Sequence, residues 1–320
     1  MARANDGVDN NNAYYNQFAV LPPLEAVEEF KVQLSNSAAE FGRSGGAQIN
    51  VALKGGTNQV HGSFFEFFRN RRLDAKNFFD PPDCRPGLGG VLCGGIPKFN
   101  RNQFGGALGG PIRKQKSFYF VAYEGLRLRQ ATTRQATVPS QAQRDEILDS
   151  VPPAFRSAAG MATLALYPAA NVGASLNRSN TFVASPVIRN SVDQPSVKLD
   201  HNLSAADTLS GHYLLYNDER FDLYALLLPF TNLPGYGAIT NARGQNAGIA
   251  WTREFGPHAV NEARFGFNRR RHGFFNASSG INRAAQLGLP EGHRVRYPSV
   301  PRGTEVLRLS AIIRGTNRSS

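Results

Sequence analysis

Residues 244–271 read GQNAGIAWTREFGPHAVNEARFGFNRRR, and this stretch shows the pattern that decides the fold. It contains two runs of alternating apolar and polar residues, separated by the short link Gly256-Pro-His258. Ile249 and Trp251 share one face of the first run, and Phe265 and Phe267 share one face of the second. A period of two residues is typical of β-strands that have one face in an apolar environment. The stretch therefore predicts two strands joined by a tight turn.

The same pattern recurs along most of the chain from about residue 60 onwards. We predict strands at eight places: 61–70, 98–111, 117–129, 194–203, 207–219, 244–255, 259–271 and, more weakly, 303–313. Short links lie at 113–116, 204–207 and 256–258, and between them come long links at 71–97, 130–193, 220–243 and 272–302. Links that alternate between short and long place all the turns at one end of the strands. That arrangement is typical of outer-membrane β-barrels, which have short periplasmic turns and long extracellular loops.

A β-sandwich is the alternative, in the form of a secreted or surface protein that binds glycans or proteins without transport. Loops as long as these count against a compact sandwich domain. The apolar faces distinguish the two folds. Ala247, Ile249, Trp251, Phe265 and Phe267 should point outward to lipid in a barrel, and inward between two sheets in a sandwich.

The longest link, 130–193, contains segments with helical spacing. We predict one short helix at 141–150 and a second at 154–166, after two prolines. A large loop with its own structure is a reasonable site for contact with a ligand.

Composition agrees with a β-rich membrane protein. The chain of 320 residues has 32 Gly and 10% aromatic residues, and only 41% of its residues are hydrophobic. A membrane barrel has such a composition because only every second residue of a strand faces lipid. No run of 18 apolar residues predicts a transmembrane helix. The first residues also lack the apolar core of a signal peptide, so we expect either a cytoplasmic protein or a chain whose true beginning is missing.

The net charge of +12 raises the question of nucleic-acid binding. The basic residues are spread along the whole chain, and the one dense run, 269–272, ends a predicted strand. We therefore expect no nucleic-acid partner.

Several segments resemble a known family. The stretches DGVDNNN (6–12), PPLEAVEEFKVQ (22–33), EFGRSGG (40–46) and INVALKGGTN (49–58) resemble the end of the plug domain of TonB-dependent receptors. The stretches GSFFEFFRN (62–70), NQFGGALGGP (102–111) and FYFVAYEG (118–125) look like the first barrel strands of that family, and most like its Oar-like branch.

This resemblance implies an all-β membrane barrel of 22 strands, of which about eight are present here, preceded by the C-terminal part of a small α+β plug domain. We assign residues 1–58 to the plug and 59–320 to the barrel. The signal peptide, the TonB-contacting box, the first half of the plug and most of the barrel are expected to be missing. The implied location is the bacterial outer membrane. The implied partners are membrane lipid, the TonB complex through the missing part, and a bulky ligand such as a siderophore, cobalamin, a glycan or a peptide.

Motifs for chemistry are absent from the sequence. It contains no phosphate-binding GxxxxGK[ST] loop, no HExxH and no GxSxG. We therefore expect no enzyme activity, no catalytic residue, no cofactor and no metal site.

The expected functional residues are structural or line a lumen. Gly42, Arg43, Gly45 and Gly46 are expected to form a turn of the plug, because glycine permits close backbone approach. Four charged residues on the polar faces of strands are expected to face the lumen, where they contact the plug or water, or take part in substrate passage: Glu66, Glu124, Glu262 and Arg264.

Two cysteines, Cys84 and Cys93, lie in a stretch rich in proline and glycine. A disulfide that closes a small surface loop is one interpretation, and it implies an oxidising compartment. Two free thiols in a flexible loop are the other. Mass mapping under non-reducing conditions distinguishes them.

Overall fold

The computed structural model describes residues 2–12, 17–34, 47–75, 98–131, 134–170, 181–184, 186–222, 237–276, 285, 287 and the backbone of 304–315. Two bodies of β-structure account for most of these residues: a small N-terminal unit and one large antiparallel sheet.

The N-terminal unit is built from six short strands. They are β1 (Ala2–Asn5), β2 (Val8–Asp9), β3 (Asn11–Asn12), β4 (Gln17–Phe18), β5 (Val27–Gln33) and β6 (Gln48–Leu53). Four of them form a sheet in the order β2-β1-β6-β5, in which β1 runs parallel to β6. A tight turn at Asp6-Gly7, with φ values of 43° and 77°, reverses the chain between β1 and β2. A 3₁₀ turn at Leu24–Ala26 leads into β5.

The large sheet contains the eight predicted strands. They are β7 (His61–Asn70), β8 (Phe99–Arg113), β9 (Ser117–Ala131), β12 (Val187–Asn202), β13 (Asp207–Asp222), β14 (Ala238–Phe255), β15 (Ala259–Asn276) and β16 (Thr304–Gly315). Each strand pairs with the next in antiparallel fashion, so the sheet is a simple meander. The prediction of strand positions is confirmed.

The link between β9 and β12 has its own structure. Strands β10 (Arg134–Thr137) and β11 (Thr181–Ala184) pair with each other. Helices α1 (Gln141–Ser150) and α2 (Ala158–Leu166) lie between them. Ser140 caps α1 in a reciprocal arrangement with Gln143, which fixes where the helix begins. The helix predicted at 141–150 is confirmed, whereas the second begins four residues later than predicted because a 3₁₀ turn precedes it. Neither helix is long and apolar enough to cross a membrane.

Several strands are longer than predicted, which corrects the bounds of the long links. β12 begins at Val187 rather than 194, β14 begins at Ala238 rather than 244, and β15 ends at Asn276 rather than 271. A strand of 18 residues is about 60 Å long, at about 3.3 Å per residue. The apolar band of an outer-membrane barrel is only about 25 Å tall. In a barrel of that kind the additional length would extend beyond the membrane, and in this part of the strands the apolar–polar alternation is weaker.

One face of the large sheet carries a band of apolar residues with charged residues at both edges. On β14 the edges are Arg243 and Arg253, ten residues apart, with Ile249 and Trp251 between them. Ten residues correspond to about 33 Å along the strand, or about 25 Å of height when the strand is tilted by about 40°. This is the thickness of a membrane's hydrocarbon layer in barrels of this type.

The apolar band is exposed. Ile249 is 55% and Phe265 43% exposed, and no second sheet covers them among the residues that the structure describes. The two sheets of a sandwich would bury these side chains against each other. The alternative of a β-sandwich is therefore wrong, and the prediction that this face points outward is confirmed.

Candidate functional site

The other face of the large sheet, here called the inner face, contacts the N-terminal unit. Its residues alternate with those of the apolar band and are polar, yet several are fully buried: Asn246 is 0% and Asn268 4% exposed. They are buried because β2 and the segments around it lie directly on β14 and β15. This contact between the unit and the inner face is the candidate functional site.

Asp6 is the central charged residue of the contact. Its Oδ1 atom accepts a hydrogen bond of 2.9 Å from the backbone N–H of Leu53, which holds the tight turn against β6. Its Oδ2 atom lies 3.0 Å from Nζ of Lys198 on β12. Lys198 also donates a 2.8 Å hydrogen bond to the carbonyl of Leu53. The ion pair thus joins the unit to the sheet from within a largely covered contact, where water screens charges less than at an open surface.

A buried polar network extends from this ion pair. Nε2 of His212 lies 3.1 Å from Oδ1 of Asn246, and its Nδ1 lies 3.8 Å from Oδ2 of Asp6. Asn246 donates from Nδ2 to the carbonyl of Asp9 at 3.1 Å, and Asn5 approaches its Oδ1 at 3.5 Å. Buried polar groups need such partners because each one left unsatisfied is destabilising.

Arg270 and Asn268 bind main-chain carbonyls of the unit. Nη1 of Arg270 donates to the carbonyls of Phe18 and Ala19 at 3.0 and 2.9 Å. Asn268 donates to the carbonyl of Asn11 at 3.4 Å. Because every residue has a main-chain carbonyl, these hydrogen bonds depend on the backbone conformation of the unit and not on its side chains.

Shape complementarity depends on two glycines of the sheet. Val8 of β2 lies over Gly248 and Gly266, which face each other across β14 and β15. A Cβ atom at Gly248 would come within 2.6 Å of Cγ2 of Val8, and one at Gly266 within 2.5 Å of its Cγ1. The missing side chains therefore let the unit approach the sheet. Nearby, Leu214 of β13 forms a small apolar cluster with three buried residues of the unit, Val20, Val51 and Leu53.

A second contact joins the 3₁₀ turn of the unit to the first strands of the sheet. The backbone N–H of Leu24 donates to Oε2 of Glu124 at 3.3 Å, while Gln103 holds the other carboxylate oxygen at 2.6 Å. Ser63 of β7 donates to Glu25 at 2.7 Å. Ala26 packs on a patch of the inner face formed by Ala107, Phe120 and Ala122.

Three of the four charged residues expected to face the lumen lie on the inner face. Glu124 contacts the unit as described, and Arg264 lies against Gly7 and pairs with Glu262 on the same strand. Glu66 is different. It pairs across the strands with Phe104, on the face of β7 opposite to Ser63, so it does not join this site.

The other expected residues cannot be placed in this site. Residues 42–46 of the predicted turn, and both Cys84 and Cys93, lie outside the described residues. Within the described part of the chain, no group of three or more His, Cys, Asp or Glu side chains could hold a metal ion.

The sequence did not single out the residues that dominate the contact, namely Asp6, Lys198, His212, Asn246 and Arg270. One signal was available, since the last four occupy polar positions in strands with apolar residues on the other face. Alternation alone, however, assigns a face and not a partner.

The fold and a comparison with known proteins together define the class of protein to which the chain belongs. A meander of long antiparallel strands, with an exposed apolar band outside and a polar inner face, is typical of transmembrane β-barrels. Residues 52–318 match the family model described as outer membrane beta barrel domain, and the chain belongs to that family. It is therefore a protein of the bacterial outer membrane.

A curated relative is the TonB-dependent transporter Oar of Myxococcus xanthus. It is 30% identical over 118 residues, which are 37% of this chain and 11% of the relative. The chain thus matches about a tenth of that protein's length.

Two solved structures are also similar. The siderophore receptor PirA from Acinetobacter baumannii is 13% identical with a TM-score of 0.48, over 85% of this chain and 32% of that one. The outer membrane transporter YddB from Escherichia coli is 12% identical with a TM-score of 0.49, over 86% of this chain and 32% of that one.

Proposed function

We propose that this chain is part of a TonB-dependent outer-membrane transporter, with residues 1–58 forming part of a plug and 59–320 part of the barrel wall. The observation that carries the proposal is the polar contact between the N-terminal unit and the inner face, centred on Asp6, Lys198 and Asn246. The similarity to a TonB-dependent transporter, Oar, supports it.

The chemistry of this contact suits a plug that must move. Most of its links are hydrogen bonds and ion pairs, and water can replace each of them when the unit shifts. A typical hydrogen bond of this kind contributes a net of only about 0.5–1.5 kcal/mol, because the separated groups are hydrated. A purely apolar contact of equal area would instead expose hydrophobic surface on opening. A modest pull on the unit would therefore separate it from the wall without unfolding the barrel.

The proposed cycle has three steps. The long links at one end of the strands capture a bulky ligand, TonB pulls on the plug from the other end, and the ligand passes along the inner face. In this scheme Glu124 and Arg264 contact the plug at rest, Glu262 pairs with Arg264, and all three line the path when the plug moves. The ligand belongs to the class of siderophores, cobalamin, glycans or peptides.

Movement of the plug can be tested without knowing the ligand. In a cysteine-free form of the whole transporter, which includes the TonB-contacting segment, Val20→Cys places a thiol at a position that is 0% exposed at rest. We expect a small maleimide to label it in energised cells that contain TonB, and labelling to slow markedly in cells without TonB. Phe30→Cys, at a position 68% exposed, is the control and should be labelled in both strains.

The outcome that contradicts the proposal is equally clear. Labelling of Val20→Cys at the same rate with and without TonB, while the Phe30→Cys control behaves as expected, would mean that TonB does not move this unit. A transport role coupled to TonB would then have to be abandoned.

A further inference from the structure

Two arginines lie side by side on the outward face of the sheet. Arg243 of β14 is directly opposite Arg271 of β15 in the antiparallel register. Both side chains are exposed, and within the described part of the chain neither forms an ion pair with a carboxylate. Like charges directly across a strand pair are destabilising. The pair therefore presents two adjacent positive charges that a bound anion would compensate.

The two arginines lie at a defined height. They lie at one edge of the exposed apolar band, in the row next to Gln245 and Arg269. The opposite edge of the band, at Arg253 and Asn261, is ten residues away along each strand. The strands leave this edge toward the long links, which in outer-membrane barrels are extracellular. The guanidinium groups therefore lie where the hydrocarbon of the outer leaflet ends and its headgroups begin.

The surface around them is recessed. A recess of about 440 Å³ is lined by polar residues of four neighbouring strands, including Ser191, Asn217 and Asn241. Three acidic residues also line it. Asp218 lies in the inner-face register of β13, opposite Ala242, and its carboxylate accepts a hydrogen bond from Tyr216 at 3.2 Å. The other two, Asp193 and Glu219, lie in the outward-face register with the arginines.

Asp193 and Glu219 differ in how much of the positive charge of the two arginines they can neutralise. Asp193 is already engaged, because it accepts hydrogen bonds from Arg127 at 2.7 Å and from Tyr123 at 2.5 Å. Glu219 is exposed and lies one row further from the membrane, directly opposite Ser191 and Asn241. The recess thus keeps two guanidinium groups on its membrane side, surrounded by hydrogen-bonding side chains.

We propose that this recess binds the phosphate of an outer-leaflet lipid headgroup. Guanidinium groups bind phosphate oxygens in a bidentate geometry, and serine, asparagine and similar side chains supply further hydrogen bonds. The occupant is a lipid rather than a free anion because a single row, Gln245 and Arg269, separates the recess from the apolar band, on which acyl chains would lie beside Ile249 and Phe265. This inference depends on the barrel fold and its membrane location, and it is independent of transport.

The test measures binding of lipid A to the full chain in a neutral maltoside detergent. Each nearby Arg contributes about 1 kcal/mol to the binding free energy of an anionic headgroup, which is about fivefold in affinity. We therefore expect the double variant Arg243→Gln/Arg271→Gln to bind lipid A about 30-fold more weakly. Monophosphoryl lipid A should bind the unaltered protein more weakly than the bisphosphorylated form, and inorganic phosphate should not compete at equal concentration. Added salt should weaken binding.

The matched control is Arg253→Gln, which removes an arginine from the same strand and face at the other edge of the band. It should leave lipid A binding unchanged. The double variant Arg243→Lys/Arg271→Lys keeps the charge and should retain more affinity for lipid A than Arg243→Gln/Arg271→Gln. If the Gln pair does not insert into detergent micelles as a folded protein, Arg271→Gln alone should show a loss of about fivefold.

Three results would each overturn the proposal. The Gln variants could bind lipid A as tightly as the unaltered protein. Arg253→Gln could weaken binding as much as the change at the other edge. Inorganic phosphate could displace lipid A at equal concentration, which would make this a site for a free anion.

Discussion

Asn246 provides the sharpest test of the contact between the N-terminal unit and the inner face. It is completely buried and is the hydrogen-bond partner of Asp9, His212 and Asn5. Asn246→Leu keeps a similar volume but leaves the carbonyl of Asp9 and the ring of His212 without this partner. Each buried group that loses its partner costs about 1–3 kcal/mol, and such costs are only partly additive. We expect the docked state to lose roughly 2–4 kcal/mol.

The measurement is the rate at which a small maleimide labels Val20→Cys in purified protein. If the thiol reacts only when the unit separates from the sheet, a loss of roughly 2–4 kcal/mol raises the labelling rate about 30- to 900-fold. The matched control is Asn241→Leu, which changes the same residue type on the same strand but on the outward face. It should change the rate by less than about twofold, since surface substitutions usually cost under about 0.5 kcal/mol. Equal effects of the two substitutions, or no effect of Asn246→Leu, would refute this account of the contact.

Three further predictions concern the same sheet. Gly248→Leu should push Val8 away and destabilise docking by about 1–3 kcal/mol, and Val8→Gly should partly restore it, as read by the same labelling rate. Lys198→Met and Asp6→Asn should each weaken docking by about 1–2 kcal/mol, and the double variant should lose less than the sum; a strictly additive loss would mean that the ion pair contributes nothing. Ile249→Arg places a charge near the middle of the apolar band and should cost about 2–4 kcal/mol in refolding into lipid bilayers; an unchanged free energy of unfolding would show that this face does not contact lipid.

The positions of the strands could be predicted because the signal is local. A period of two residues is visible within each segment, and the strand at 61–70 has the predicted bounds. The ends of the strands could not be predicted. The outer parts of β12, β14 and β15 stay hydrogen-bonded to their neighbours, but their residues are mixed and do not alternate between apolar and polar. Backbone hydrogen bonds between strands do not require alternation, so the ladder continues where the pattern fades.

Glu66 was expected to face the lumen but lies on the other face of β7, and the neighbouring residues show why. Phenylalanines stand on both sides of it, at 64 and 65 and at 67 and 68, so both faces of β7 are aromatic. The sequence therefore does not indicate which face points inward. The register with β8, which places Glu66 opposite Phe104 and Ser63 opposite Ala107, decides it.

By itself, the sequence determined that this is a β-barrel of the outer membrane, with eight strands of one sheet among the described residues, and which residues of β14 and β15 share a face. These properties follow from local periodicity and link length. Only the tertiary structure decided which residues meet. Asp6 reaches Lys198 and His212, and Arg243 faces Arg271, because the N-terminal unit docks on one face and the strand register aligns the other. Contacts between residues far apart in the chain depend on that docking and register, and neither leaves a local pattern.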